Sequence, residues 1–201
     1  EMAYTHLVSF CGKIIETTVT QNASIADSWA QDVLSKCNAC TNINIVGLNC
    51  KWKPHPISSM SNKIATMQLC IDTHCLILQS LYMDNVPPSI KSLLSDPRIV
   101  LVGVEVDEVV LKLKNEYGVC CNKTIDVRML VKLHFPLSFR GKPGLKALAN
   151  PLLPLHGWKP KNISACLNHM ESRVLDVELI TFACIDAYVS YRIGYKLLKE
   201  M

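Results

Sequence analysis

Hydrophobic and polar positions alternate over residues 6–20, where several β-branched residues occur. Side chains of a strand point to alternate faces, so this stretch predicts two strands, and the Cys11-Gly12-Lys13 interruption predicts a hairpin between them. The run from Asn44 to Trp52 begins with apolar, β-branched residues and is followed by Pro54-His55-Pro56. It predicts a buried central strand that ends at a turn.

Between the hairpin and the central strand, the sequence has the apolar spacing of a helix. Apolar residues recur there at i, i+4 and i+8, namely Ile25, Trp29 and Val33. This spacing predicts a helix with one apolar stripe. We expect Ser24 to cap the helix, with Asp27 completing an acidic variant of the capping box, and we expect the helix to end near Lys36.

The second part of the chain changes from strand runs to strand-helix units. Residues 64–71 and 75–81 predict two antiparallel strands that continue the sheet. After a short helix over residues 87–94, the apolar run 98–106 predicts a strand followed directly by a helix that starts at Asp107. A strand followed by a helix is the unit of parallel addition to a sheet.

The last third of the chain predicts one more strand and mostly helices. Residues 124–127 predict the short strand, residues 145–149 a short helix, and residues 177–199 a long terminal helix with a broad apolar face. The expected fold class is therefore α/β, with a mixed sheet (an antiparallel meander, then parallel strands) flanked by helices.

Composition supports one domain over residues 1–201. Of the 201 residues, 49% are hydrophobic and 19% are charged, which fits one α/β core, and no linker or repeat divides the chain. The longest apolar runs are far shorter than the ~20 residues of a membrane helix, so we expect no membrane partner. A net charge of +4 permits a phosphate-bearing partner without requiring one.

The cysteines bear on the cellular compartment. Ten are present, several of them inside apolar periodic segments, where a thiol behaves as a small hydrophobic group. Because the first residues also lack the pattern of a secretory signal, we expect a cytoplasmic or nuclear protein. Cys37 and Cys40 have the spacing of half a zinc site, but no second pair follows, so a coincidence at a helix end is favoured.

Five stretches occur in order: IVGLNCKW (45–52), PPSIKSLLSDPRIVLVGVEVDEVVLKL (87–113), TIDVRMLVKL (124–133), GLKALA (144–149) and TFACIDAYVSYRIGYKLL (181–198). Together they resemble the Werner-syndrome-type 3′-to-5′ exonucleases of the DEDD superfamily, and most of all the short single-domain members of plants. The resemblance implies a ribonuclease H-like fold. It also implies hydrolysis of the terminal phosphodiester by two Mg²⁺ or Mn²⁺ ions that carboxylates hold.

The resemblance also implies which positions should carry the chemistry. The family has an acidic pair at alternate positions of the central strand, an Asp in the helix after the VGV strand, and an Asp four residues after a water-orienting Tyr. These acidic positions hold Asn49, Lys51, Val109 and Asp186 here, and Phe182 stands at the Tyr position. Only Asp186 keeps the family residue, so we expect no metal site and a catalytically degenerate protein.

Several interpretations of these residues stay open. Asp186 is either a relic of the metal site or a structural polar residue, and Lys51 either contacts a phosphate or pairs with an acid such as Asp186. A shift in register would offer Glu108 or Asp107 in place of Val109, although capping of the helix explains Asp107 better.

A basic loop is a second candidate site. Its cationic residues are Arg140, Lys142 and Lys146, with Lys159 and Lys161 further on. They face either a nucleic-acid backbone or solvent.

Two functions follow from these observations. In the first, the protein binds single-stranded RNA or DNA, or assembles with itself or active relatives, without hydrolysis and without a cofactor. In the second, it is a weak 3′-to-5′ exonuclease that uses Mg²⁺ or Mn²⁺, Asp186 and ligands outside the family pattern or from a neighbouring subunit. The resemblance further implies homo-oligomers, including rings.

Overall fold

The computed structural model describes residues 3–37, 43–160 and 162–201. The strands are β1 (Tyr4–Phe10), β2 (Lys13–Thr20), β3 (Asn44–Lys51), β4 (Thr66–Ile71), β5 (His74–Leu78), β6 (Ile99–Gly103) and β7 (Lys123–Asp126). The helices are α1 (Ala23–Lys36), α2 (Pro88–Ser95), α3 (Val106–Tyr117), α4 (Val127–His134), α5 (Leu145–Ala149), α6 (Ile163–Leu167) and α7 (Val177–Tyr195). A short 3₁₀ turn, Ser80–Tyr82, follows β5, and a π-helical turn, Lys196–Glu200, follows α7.

The strands form one seven-stranded mixed sheet in the order β1-β2-β5-β4-β3-β6-β7. The hairpin β1-β2 and the meander β3-β4-β5 are antiparallel, and β6 and β7 add in parallel beside β3. These pairings confirm the predicted mixed sheet. The parallel pairing of β2 with β5 was not predicted, because it joins segments that lie far apart in the sequence.

The cap expected for α1 is wrong by two residues. The side chain of Asn22, not that of Ser24, accepts hydrogen bonds from the first turn, with the amides of Ser24 and Ile25 as donors at 2.9 and 3.2 Å. Asp27 does not complete a capping box. Its carboxylate instead accepts a hydrogen bond from the amide of Ser89 at 2.9 Å and so connects α1 to α2.

The junction between β6 and α3 also differs from the prediction. The strand ends at Gly103 and the helix begins at Val106, so Asp107 lies inside the first turn and does not cap the helix. The cap position is Glu105, whose backbone is left-handed with φ 53°. Non-glycine residues adopt this conformation rarely, and it costs free energy, so surrounding contacts must stabilise it.

The core lies on both faces of the sheet. Helix α7 packs across one face, where the side chains of Ile45, Val102 and Ile180 are buried. Helices α1, α2 and α3 cover the other face. The cysteines expected in the core, Cys50, Cys70, Cys75, Cys166 and Cys184, are all buried.

Burial raises the pKa of the Cys50 and Cys70 thiols, so both stay protonated at neutral pH. Cys37 is buried at the end of α1, whereas Cys40 falls outside the described residues, so the structure does not test the interpretation of their spacing as a coincidence. In the described part of the chain, no helix combines the length and the apolar composition needed to cross a bilayer.

Candidate functional site

The central strand β3 aims Asn49 and Lys51 at the face that α7 covers. Residues two apart on a strand share a face, and Gly47 lies on that face as well. A Cβ atom at Gly47 would overlap the carbonyl oxygen of Ala187 in α7, so only glycine lets the helix approach this closely. The close approach brings Asp186 of α7 to Lys51.

Lys51 and Asp186 form an ion pair. The Lys51 amine also lies 4.3 Å from the centre of the Phe182 ring, one helical turn before Asp186. Lys51 is only 7% exposed, so the strand and the helix remove this charge from most of its hydration. Two contacts, one ionic and one cation–π, compensate the loss.

The third family position lies on α3 at the same pocket. Val109 is 4% exposed and lines the pocket with an apolar surface. Its neighbour Glu108 also lines the pocket, whereas Asp107 does not. Glu105, the left-handed residue before α3, lines it too and pairs with Arg128 of α4 at 2.9 Å.

The pocket has a volume of about 860 Å³. It is lined by all five positions that the family resemblance singled out: Asn49, Lys51, Val109, Phe182 and Asp186. Aromatic rings form much of its wall, and Phe10 and Trp158 meet edge to face with their ring centres 5.4 Å apart. Its volume falls in the range of small-molecule sites. Sequence reasoning missed this wall because Phe10 and Trp158 lie 148 residues apart.

Some cationic residues of the basic loop line the pocket and others lie outside it. Lys146 lines the pocket and donates a hydrogen bond to the carbonyl of Trp158 at 2.6 Å, and Lys159 lines the same wall. Lys142 is 82% exposed and lies 3.9 Å from Glu105, while Arg140 is exposed and not part of the pocket lining. Lys161 falls outside the described residues.

Polar atoms form part of the buried floor behind Asn49. Gln68 of β4 is the register partner of Asn49, and Ser190 lies one turn after Asp186 on α7. The oxygens Asn49 Oδ1, Gln68 Oε1 and Ser190 Oγ are buried and have no hydrogen-bond partner among the described residues. Buried polar atoms are nearly always hydrogen-bonded, so enclosed water molecules are the expected partners of these oxygens.

The residues present do not fit a pair of divalent cations. Such a pair needs several carboxylate oxygens. The carboxylate of Asp186 is engaged by the Lys51 amine, Asn49 offers only an uncharged amide, and Val109 cannot bind a cation. No group of three His, Cys, Asp or Glu residues is placed to hold a metal ion within the ranges described above.

Comparison with known proteins points to one family. Residues 21–201 match a family model described as 3′-5′ exonuclease. The chain is 29% identical over 160 residues to a 3′-5′ exonuclease of Arabidopsis thaliana, covering 79% of this chain and 54% of that protein. It is also 29% identical over 184 residues to Exonuclease 3′-5′ domain-containing protein 2 of Drosophila melanogaster, covering 89% of this chain and 30% of that protein.

Solved structures agree in fold. RNase D of Escherichia coli, described as an exoribonuclease involved in structured RNA processing, matches with a TM-score of 0.68 at 17% identity, over 90% of this chain and 44% of that one. The EXD2 exonuclease domain soaked in Mn and dGMP matches with a TM-score of 0.51 at 19% identity, over 90% and 88%. These matches confirm the ribonuclease H-like fold expected from the sequence. The chain spans 54% or less of the length of the two curated relatives named above.

Proposed function

Because the chain belongs to the 3′-5′ exonuclease family, we propose that it is a degenerate member that binds single-stranded nucleic acid and does not hydrolyse it. The proposal covers residues 1–201 as one exonuclease-like domain. It assigns Asp186 the role of a remnant of the metal site, with Asn49, Lys51, Val109 and Phe182 at the positions where the other family residues are lost.

One observation carries the proposal: the Lys51 ammonium is paired with Asp186 inside the pocket. A bound ammonium neutralises the carboxylate that would otherwise attract a metal ion, and it repels a second positive charge. Phe182 holds the ammonium in place but has no hydroxyl with which to orient a water molecule. With Lys51 bound to it, the Asp186 carboxylate is not available to hold a metal ion that would activate an attacking water.

The binding part of the proposal rests on the features of the pocket that remain. Aromatic rings of the kind present at Phe10, Trp52 and Trp158 can stack on bases. Lys146 and Lys159 place positive charge on the same wall, where a phosphate backbone would approach. Lys142 and Arg140 lie outside this wall and extend the basic surface.

The test is incubation of the pure protein with end-labelled single-stranded RNA and DNA in Mg²⁺ or Mn²⁺. We expect both strands to stay intact while a filter or anisotropy assay detects binding that weakens as salt rises. An established exonuclease serves as the positive control. A ladder of shortened products that is lost in Asp186→Ala would refute the proposal.

A second candidate function is a weak metal-dependent exonuclease. The observation in its favour is that Glu108 and Asp186 line one pocket, so a Mg²⁺ or Mn²⁺ ion has two carboxylates there if Lys51 moves away. In that case Glu108→Gln should abolish the residual cleavage, whereas Asp107→Asn, outside the lining, should leave it unchanged.

Self-association forms the last part of the proposal. Met129 and Leu133 on α4, together with Leu137 after it, are 62%, 71% and 98% exposed, which is unusual for large apolar side chains. A homo-oligomer, including a ring, would cover them. Light scattering of the protein as it elutes from a size-exclusion column should give a mass greater than that of one chain, and Leu133→Glu should lower this mass. Cytoplasmic or nuclear location stays a prediction.

A further inference from the structure

The charge on the pocket wall is not balanced by acidic residues. Lys51 pairs with Asp186, and Arg128 pairs with Glu105 at 2.9 Å. Lys146 and Lys159 line the same pocket without an ion pair to any described acidic residue, and Lys146 has amine hydrogens left after its bond to the Trp158 carbonyl. Glu108 is the one lining acid, within the described residues, that has no cationic partner.

The inside end of the pocket carries a cation as well. The Lys51 amine lies there, paired with Asp186 and 4.3 Å from the centre of the Phe182 ring. A neutral strand end, such as a terminal hydroxyl, gives such a wall little to bind electrostatically. A phosphomonoester carries about −1.5 to −2 charges at pH 7, and ammonium groups bind it through strong, charge-assisted hydrogen bonds.

We propose that the pocket selects nucleic-acid strands whose 3′ end carries a phosphate, with Lys51 as the contact inside the pocket and Lys146 and Lys159 on its wall. This inference rests on the proposed function, because it names the strand end that the non-hydrolysing domain binds. Asp186 competes with the phosphate for the Lys51 ammonium and so sets the strength of the preference. The step is binding alone, and no bond is made or broken.

The test compares three labelled single strands of one sequence, with a 3′-phosphate, a 5′-phosphate or no terminal phosphate, by anisotropy titration in EDTA. The strands with a 3′- and a 5′-phosphate carry equal charge, so long-range attraction cannot separate them. We expect the strand with a 3′-phosphate to bind about tenfold more tightly than either other strand, the ratio that one good charge-assisted contact produces.

Variants locate the contact. The double variant Lys51→Gln/Asp186→Asn keeps the pair neutral and should reduce the preference to about threefold or less, whereas Asp186→Asn alone frees the ammonium and should increase it. The matched control is Lys196→Gln/Glu200→Gln, which removes an exposed ion pair outside the pocket without changing the net charge and should leave the tenfold ratio unchanged. Circular dichroism and thermal melting confirm that each variant is folded.

The outcomes are distinct. Equal binding of the two phosphorylated strands, or tighter binding of the strand without a terminal phosphate, overturns this inference and leaves the proposed binding function standing. Failure of all three strands to bind overturns the proposed function and the inference together. A preference that the double variant keeps in full overturns the role of Lys51.

Discussion

The ion pair between Lys51 and Asp186 should couple strongly in a double-mutant cycle. The cycle consists of Lys51→Met, which keeps a straight side chain of similar length, Asp186→Asn, and the double variant. The side chains of Lys51 and Asp186 are 9% and 24% exposed, so each single variant leaves its partner in a site with little solvent. Removing one member of a fully buried pair costs about 3–5 kcal/mol.

Because neither side chain is fully buried, the expected loss of stability is smaller than this range of about 3–5 kcal/mol. Asp186 keeps access to some water, so Lys51→Met should lower the free energy of unfolding by about 2 kcal/mol. Asp186→Asn leaves Lys51 with its cation–π contact to Phe182, which compensates about 1 kcal/mol, so we expect a loss of about 2–3 kcal/mol. The double variant buries no unpaired charge and should lose no more than about 1 kcal/mol relative to the wild type, which gives a coupling of about 3–5 kcal/mol.

Urea denaturation followed by circular dichroism measures the four free energies of unfolding. The matched control is the exposed pair of Lys196 and Glu200, 3.0 Å apart, whose coupling should be only about 0.3–0.5 kcal/mol. If the double variant loses the sum of the two single losses, the two side chains act independently and the account of the pocket given above is wrong.

Three further predictions test other parts of the structure. Gly47→Ala should lower the unfolding free energy by more than about 3 kcal/mol or prevent folding, because the new methyl group overlaps the backbone of Ala187. At Gly144 a methyl group meets open space, so Gly144→Ala should change the unfolding free energy little, and thermal melting compares the two variants. Asn22→Ala should cost about 1 kcal/mol by removing the α1 cap, and Ser24→Ala should cost less than half as much, again by urea denaturation. Millimolar Mn²⁺ should leave the melting temperature within error of its value in EDTA, since a ligand that does not bind the folded state cannot stabilise it; a clear rise would contradict the proposal that the pocket binds no metal ion.

The strands and long helices could be predicted from the sequence because their periodic patterns are strong. Cap positions could not, since Asn22 and Ser24 are both good capping residues and stand two positions apart. The start of α3 depended on Glu105 adopting a left-handed conformation, which sequence patterns rarely reveal in a residue other than glycine. The parallel pairing of β2 with β5 is set by tertiary packing.

Part of the site could be predicted, mainly from the alternation of side chains along β3 and less from the composition of the chain. The alternation along β3 puts Asn49 and Lys51 on one face, and pairing of Lys51 with Asp186 was one of two interpretations left open; the structure contains this pair. The basic loop was less predictable. Its lysines are close in sequence, yet Lys146 lines the pocket and Arg140 does not, because the turn between them decides which way each points.

The ion pair between Lys51 and Asp186 also limits which substitutions the sequence can accept during evolution. A substitution of Lys51 by an acid would place two negative charges side by side in a site with little water and would lower the stability of the fold. Replacing Asp186 alone would leave the buried Lys51 ammonium without its ion-pair partner. Each residue therefore makes replacement of the other costly, so substitutions at this pair that keep the fold stable are expected to change both residues together.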